Sequence, residues 1–313
     1  MLYMEMQEII QVKGLTKSFK NLTAVDNLSF SVREGDVYGF LGQNGAGKST
    51  TIRMLLTLIE PTAGSIDLFG LSLRSHRTEI LRQIGAVIEK PDVYKYLSAI
   101  DNLQLFARLS GLKPTQQQLM QQLEMVGLAP RAKDIVKTFS QGMKQRLGIA
   151  VALVHNPKLI ILDEPTNGLD PQGIADIRNL IRHLSKDLNK TILVSSHLLN
   201  DIEQIATRVL IIDKGKKLVE GSAAELFDPA QTLIELETLD NESAYHKLLQ
   251  SKWSPALQPR RSNTILIKLH RDHIPNLHRE LVALDISVLS LQPKHSLEDF
   301  FLQETSGQYA NTH

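Results

Sequence analysis

Residues 36–49 read Asp36-Val37-Tyr38-Gly39-Phe40-Leu41, then Gly42-Gln43-Asn44-Gly45-Ala46-Gly47-Lys48-Ser49, and this junction decides the fold. The first six residues have the short aliphatic and aromatic character of a buried strand. The next eight fit G-x-x-x-x-G-K-[ST], a phosphate-binding loop, in the strand-to-helix context that the motif requires. From Lys48 onward, Ile52, Leu55, Leu56 and Ile59 recur at helical spacing, and the spacing predicts a helix to Ile59 that Pro61 stops. The chemistry needs these residue types. Glycines let successive backbone N–H groups converge on phosphate oxygens, and the helix N-terminus aims its positive dipole end at the same anion. Lys48 adds a point charge for the terminal phosphates, the Ser49 hydroxyl suits Mg²⁺, and Thr50 extends the nucleotide-binding run into the first helical turn.

Outward from this loop, from Val12 to about Ser222, short aliphatic runs alternate with longer helical patterns, which predicts an α/β domain. Lys158–Asp163 and Thr191–Ser195 read as further buried strands, with a helix over Pro171–Leu188 between them. Residues Asp101–Val126 are Gln-rich and mostly helical, an insert on the α/β body. The aliphatic run Leu159-Ile160-Ile161-Leu162 ends in Asp163-Glu164. An acid at the strand's end can hold Mg²⁺ through water, and the next is placed to polarise an attacking water as general base. His197 follows the strand that ends in Ser195-Ser196; alone, it is as well read as structural.

Beyond Gly221-Ser222 the pattern changes. It predicts strand Thr232–Leu239, helix Asn241–Lys252, a short strand near Ala256–Gln258, strand Asn263–His270, helix Asp272–Leu284 and strand Ile286–Leu291. That β-α-β-β-α-β order is ferredoxin-like and α+β, and an amphipathic helix over Ser296–Glu304 closes the reading. The expected domains are residues 8–225, with a helical subdomain over about 92–156, and residues 230–305. His270, His273 and His278 have no zinc-site spacing and read as surface or packing residues.

Bulk properties exclude several classes. The 313 residues suit about two domains. Lys and Arg number 35 against 34 Asp and Glu, so a net charge of +1 gives no basic footprint for nucleic acid. Hydrophobic content of 42 % and charged content of 22 % are those of a globular chain, not a disordered one. The absence of cysteine excludes disulfides, thiolate zinc sites, Fe–S clusters and a cysteine nucleophile, and fits the cytoplasm. No apolar run reaches the ~18–20 residues of a membrane helix. Glu5 and Glu8 interrupt an N-terminus that lacks the basic start of a signal peptide, so the expected chain is soluble and reaches a membrane through a partner.

Phe139-Ser140-Gln141-Gly142-Met143-Lys144-Gln145-Arg146 lies 92 residues past Lys48, measured at Ser140, and precedes a helix expected over Gly142–His155. With the phosphate loop and the Asp163-Glu164 pair, it resembles the signature motif of the ATP-binding-cassette (ABC) ATPases. Ser140 and Gly142 match that motif, whereas Gln141 and Met143 depart from its commonest form, L-S-G-G-Q. The resemblance implies a P-loop ATPase in which two subunits pair head to tail. Ser140, Gln141, Gly142 and Met143 of one subunit would then close over ATP held by the phosphate loop of the other. It further implies that Phe19 stacks on adenine, that Gly168-Leu169-Asp170 is the loop coupling the two sites, and that His197 is the switch histidine. Lys48, Glu164 and His197 would carry catalysis, with Mg²⁺ on Ser49, Asp163 and Glu89. Glu89 stands where the family usually has Gln, which keeps an oxygen for Mg²⁺ but loses an amide donor.

That Glu, together with Tyr94, Leu97, Asp101-Asn102-Leu103 and the tail Ser296–Phe301, resembles the bacitracin- and daunorubicin-resistance-like branch of exporter ATPases. The resemblance covers nearly the whole chain, more strongly up to about Ser222. It implies an ATP-hydrolysing subunit, a homodimer or a pair with a related ATPase, on the cytoplasmic face of a membrane. Integral membrane permease subunits would dock near Glu89 and the helical insert, and no nucleic acid is expected as a partner. Three readings stand beside it: a soluble ABC ATPase acting on the ribosome or DNA, an importer ATPase with a barrel-like C-terminal domain, and a metabolite kinase. The kinase reading leaves Ser140–Arg146 without a purpose.

Overall fold

The computed structural model describes residues 7–227, 232–259 and 264–295, and the chain divides between Ala223 and Ala224 into two units. The first unit opens with β1 (Glu8–Phe19), β2 (Leu22–Arg33), β3 (Val37–Leu41) and α1 (Lys48–Leu55). Then come β4 (Ala63–Leu68), β5 (Leu71–Ser72), α2 (Arg77–Leu81), β6 (Ile84–Val87), α3 (Ala99–Leu109), α4 (Gln116–Met125) and α5 (Gln141–Leu153). It continues with β7 (Leu159–Leu162), α6 (Pro171–Lys186), β8 (Thr191–Ser196), α7 (Leu199–Glu203), β9 (Arg208–Asp213) and β10 (Lys216–Ser222). A four-residue helix, α8 (Ala223–Leu226), spans the division.

Six strands form the central sheet in the order β10-β9-β3-β8-β7-β6, parallel apart from the antiparallel β9–β10 pair. Strands β3, β7 and β8 are buried along their whole length, which is why they read as continuous apolar runs rather than alternating ones. A second sheet, β2-β1-β4-β5, is antiparallel and packs its inward residues Ile10, Val12, Leu15, Val25, Leu28 and Phe30 into the same core as Tyr38, Phe40 and Ile52. This second sheet is absent from the sequence-based expectation. Bulges interrupt β1 between Val12 and Leu15 and break the period-two alternation that would have revealed it.

The helices of the first unit differ from expectation in extent and number. Helix α1 ends at Leu55, not Ile59, because Thr57 turns to a left-handed φ of 57° and the Leu58 N–H reaches back to the Arg53 carbonyl. Pro61 lies beyond this cap and does not end the helix. The Gln-rich insert is two helices, not one. Gly111 at φ 79° and Pro114 separate them, and Thr115 and Gln118 form a capping box that starts α4. Helix α6 stops at Lys186, within two residues of its expected end.

The second unit contains β11 (Thr232–Thr238), α9 (Asn241–Leu249), β12 (Ile265–Leu269), α10 (Ile274–Ala283) and β13 (Val288–His295). Its sheet has three antiparallel strands in the order β12-β11-β13. The short strand expected near 256–258 is instead a 3₁₀ turn, Ser254–Ala256, from which Leu257 makes a single bridge to Ile267. Pro255 within that turn has no N–H to give a ladder. Ile234, Leu236, Leu248, Ile267, Leu277 and Leu281 form this unit's own core. The helix expected over 296–304 lies outside the described residues.

Candidate nucleotide-hydrolysing site

The parallel register places three strand ends side by side. Leu41, the last residue of β3, is level with Ser196 on β8, and Leu162, the last of β7, is level with Val194. Consequently the Gly42–Ser49 loop, the Asp163-Glu164 pair and His197 emerge together at the carboxyl edge of one sheet, where open α/β sheets bind ligands. The phosphate loop is fixed by its glycines. Gly47 has φ 107°, and a Cβ there would sit 2.5 Å from the Ala24 carbonyl oxygen. A Cβ at Gly42 would meet the Ile212 carbonyl oxygen at 2.7 Å. At Gly45, with φ 85°, no atom lies within 4 Å of that position, so the backbone there is open to a ligand. Helix α1 follows with no side chain capping its N-terminus and no acid in its first turn, an end whose N–H groups and dipole favour an anion.

Lys48 is 5 % exposed, and its ammonium donates to the Gly42 carbonyl at 2.6 Å and the Gln43 carbonyl at 3.2 Å. It also lies 3.1 Å from Glu164 Oε1. The other Glu164 oxygen meets His197 Nδ1 at 2.7 Å, so lysine, carboxylate and imidazole form one connected row. Glu164 holds a left-handed φ of 50°, strain of the kind that collects at functional sites. Its Oε1 makes no hydrogen bond, only the charge contact with Lys48. Asp163 is fully buried; its Oδ1 accepts from Ser195 Oγ at 2.5 Å, whereas Oδ2 has no hydrogen-bond partner. Ser49 and Thr50 are half-buried beside Lys48.

The remaining expected residues are placed as follows. Phe19 ends β1 and is 45 % exposed, with Lys17 Nζ lying over its ring, 5.0 Å from the centroid. Glu89, also at a left-handed φ, is exposed and paired at 2.5 Å with Arg53 of α1. Ser140 caps α5, accepting from the Met143 N–H at 3.2 Å, and both Ser140 and Gln141 are exposed. Gln141 Nε2 donates to the Asn167 carbonyl at 3.2 Å, and Gly142 packs toward Leu169, so the signature segment and the 168–170 loop touch within one chain. Asp170 caps α6 through the Gly173 N–H.

Five further participants, Ser195, Asp201, Thr166, Arg178 and Arg53, are not among the expected site residues. Ser195 joins Asp163 to the Glu164 backbone, accepting from the Glu164 N–H at 2.9 Å. Asp201, buried on α7, accepts from Thr166 Oγ1 at 2.7 Å and from Arg178 at 2.5 Å, which ties the 166–170 loop to α6 and α7. These three pairings span 23 to 35 residues of sequence, and no local pattern announces them. Arg53 carries the only local hint, a charge on a helix starting at a phosphate loop.

A carboxylate with one unpaired buried oxygen suits Mg²⁺, which favours few protein ligands completed by phosphate and water. Among the described residues no cluster of three or more His, Cys, Asp or Glu offers a self-contained metal cage.

A six-stranded sheet with a phosphate loop at its carboxyl edge, an acid pair on the next strand end but one, and a histidine between them defines a P-loop ATPase. The ABC transporter family profile matches residues 25–167. The chain is 42 % identical over 303 residues to the bacitracin transport ATP-binding protein BcrA of Bacillus licheniformis, covering 96 % of this chain and 99 % of that protein. It is 39 % identical over 239 residues to the lantibiotic transport ATP-binding protein SrtF of Streptococcus pyogenes, covering 76 % and 99 %. A dimeric, post-hydrolysis ATP-binding cassette, MJ0796, bound to ADP and phosphate, superposes with a TM-score of 0.62 at 25 % identity over 68 % of this chain and 98 % of that one. The chain belongs to the ABC transporter ATP-binding proteins: it is an ATPase subunit, and it binds nucleotide.

Proposed function

We propose that this chain powers export of a peptide antibiotic of the bacitracin or lantibiotic type through a separate membrane permease. The likeness to a bacitracin transport protein runs over nearly the whole of both chains, C-terminal unit included. A soluble ABC ATPase working on the ribosome or DNA finds no support among these relatives, which are named for transport. Among the described residues no helix is long and apolar enough to cross a membrane, so the translocation path belongs to other subunits.

The observation that carries the ATPase chemistry is the row Lys48–Glu164–His197 at the carboxyl edge of adjacent strands. The terminal phosphates of ATP take the place that Glu164 now holds on Lys48, assisted by the N–H groups of the Gly42–Ser49 loop. Phe19 stacks on adenine. Glu164, released from the ammonium, orients the attacking water, and His197 stabilises charge developing on the transferred phosphoryl group. Asp163 and Ser49 would hold Mg²⁺, which would neutralise phosphate charge; Glu89, paired with Arg53, would have to leave that partner to join them. Ser140, Gln141, Gly142 and Met143 are exposed or half-buried, as required of residues that complete the site of a second copy. We read the ATP-bound form as such a pair, a homodimer or a pair with a related ATPase. It sits on the cytoplasmic face of the membrane, with the permease docked near Glu89 and the helical insert. The second unit we read as ferredoxin-like, with its second strand reduced to the Leu257 bridge.

The test uses Glu164→Gln. This variant should bind ATP with wild-type affinity, accumulate as an ATP-dependent dimer on size-exclusion chromatography, and lose at least ~10²-fold in turnover. In cells, it should fail to restore bacitracin or lantibiotic resistance where the wild-type chain does. Wild-type turnover in the variant would remove the general-base assignment, and unchanged sensitivity of cells lacking the chain would remove the exporter reading.

A further inference from the structure

We propose that Ser195 is a positioning residue of the hydrolytic site, fixing the Asp163 carboxylate and the Glu164 backbone in a single mutual orientation; this deepens the ATPase reading and rests on it. Ser195 is fully buried near the end of β8, one residue past Val194, which is level with Leu162, and its hydroxyl meets Asp163. Its two hydrogen bonds leave it no rotational choice. A backbone N–H can only donate, so Oγ accepts from Glu164 at 2.9 Å. The hydroxyl's one proton must therefore go to Asp163 Oδ1, at 2.5 Å.

Two consequences follow for the chemistry. With Oδ1 committed to the serine, Oδ2, the buried oxygen without a partner, is the one left to serve the nucleotide's cation. The anchored Glu164 N–H also helps hold that residue at its left-handed φ of 50°, the conformation from which its carboxylate reaches both Lys48 and His197. Ser196 does different work. Its Oγ accepts from the Leu198 N–H at 3.0 Å in the turn leading to α7, and its carbonyl receives the Gly42 N–H at 3.3 Å. Neighbouring serines thus hold different halves of the site, and only Ser195 joins the two acids.

The experiment compares Ser195→Ala and Ser195→Thr in the full chain, with Glu164→Gln as control. Readouts are kcat, KM for ATP, the Mg²⁺ concentration at half-maximal rate, nucleotide binding and the melting temperature. Removing the hydroxyl should lower kcat by about 10–100-fold and raise the Mg²⁺ requirement several-fold, with KM for ATP changed less than about 3-fold. Threonine, which keeps the hydroxyl on a residue suited to strands, should return kcat to within about 3-fold of wild type. The proposal is overturned if alanine leaves kcat within twofold of wild type, or if nucleotide binding and melting temperature fall together with activity, as a mere packing role requires. A folded threonine variant as slow as alanine would overturn it too. Should the threonine variant fail to fold, the kcat against KM split and the Mg²⁺ titration of the alanine variant decide by themselves. An inactive Glu164→Gln beside a normal Ser195→Ala removes only the serine's role, whereas normal activity in both removes the ATPase site as assigned.

Discussion

At the scale of single residues, the site is a set of charges held in reserve for a polyanion. A buried lysine needs compensation; Lys48 obtains it from two loop carbonyls and Glu164. In the proposed ATP-bound form, phosphate would replace that compensation with charge-assisted contacts of its own. Glu164 also meets His197, and the different roles proposed for these two side chains predict different kinetics. His197→Ala should lower kcat by about 10²–10³-fold while leaving KM for ATP nearly unchanged, because a group acting on transition-state charge contributes little to ground-state binding. Steady-state ATPase assays check this; a raised KM with unchanged kcat would assign the imidazole to ATP binding instead. Gln141, where the family's commonest motif has glycine, spends its side chain on the Asn167 carbonyl, and the bond fastens the signature segment to the loop that begins at Glu164.

Secondary-structure elements transmit these local requirements through close backbone approach. Helix α5, which starts at the signature serine, passes so near residue 91 that a Cβ at Gly148 would lie 2.5 Å from Pro91 Cβ. Likewise a Cβ at Gly85 on β6 would lie 2.2 Å from the Ala152 carbonyl oxygen. These glycines set the distance between α5 and the segment carrying Glu89. Gly148→Ala should therefore cost on the order of 2 kcal/mol, through forced displacement in a packed region. That amounts to a melting temperature lower by roughly 4–8 °C for a unit of this size. Thermal denaturation by circular dichroism measures it, and an unchanged midpoint would show that the Pro91 segment yields freely. Nucleotide affinity should stay near wild type, since Lys48 and the phosphate loop sit on other strands.

For the molecule as a whole, the two units have separate cores, and every site residue belongs to the first. The single tryptophan, Trp253, packs against the core of the second. This separation makes a prediction with a built-in probe. At 100 times its dissociation constant, ATP adds about 2.7 kcal/mol to the unit that binds it. The far-UV circular dichroism transition should therefore move up by roughly 5–10 °C with ATP and Mg²⁺ present. The Trp253 fluorescence transition should stay in place. Equal shifts of both signals would mean that the units unfold as one.

By itself the sequence determined which chemistry is present. The Gly42–Ser49 run, the Asp163-Glu164 pair and the Ser140 segment are local strings, and the task proposed for each rests on neighbours a few residues away: a turn of backbone, a helix N-terminus, a strand end. Only the tertiary structure decided how these strings meet. Parallel pairing of β3, β8 and β7 brings residues over 100 positions apart within hydrogen-bond reach, and no sequence periodicity encodes that register. The antiparallel sheet of β1, β2, β4 and β5 was hidden because bulges disturb the local alternation, and the strand expected near 256–258 shrank to the single Leu257 bridge beside a proline. Ser195 shows the limit most plainly. In the sequence it is one of two adjacent serines, and its task exists only because a neighbouring strand ends beside it.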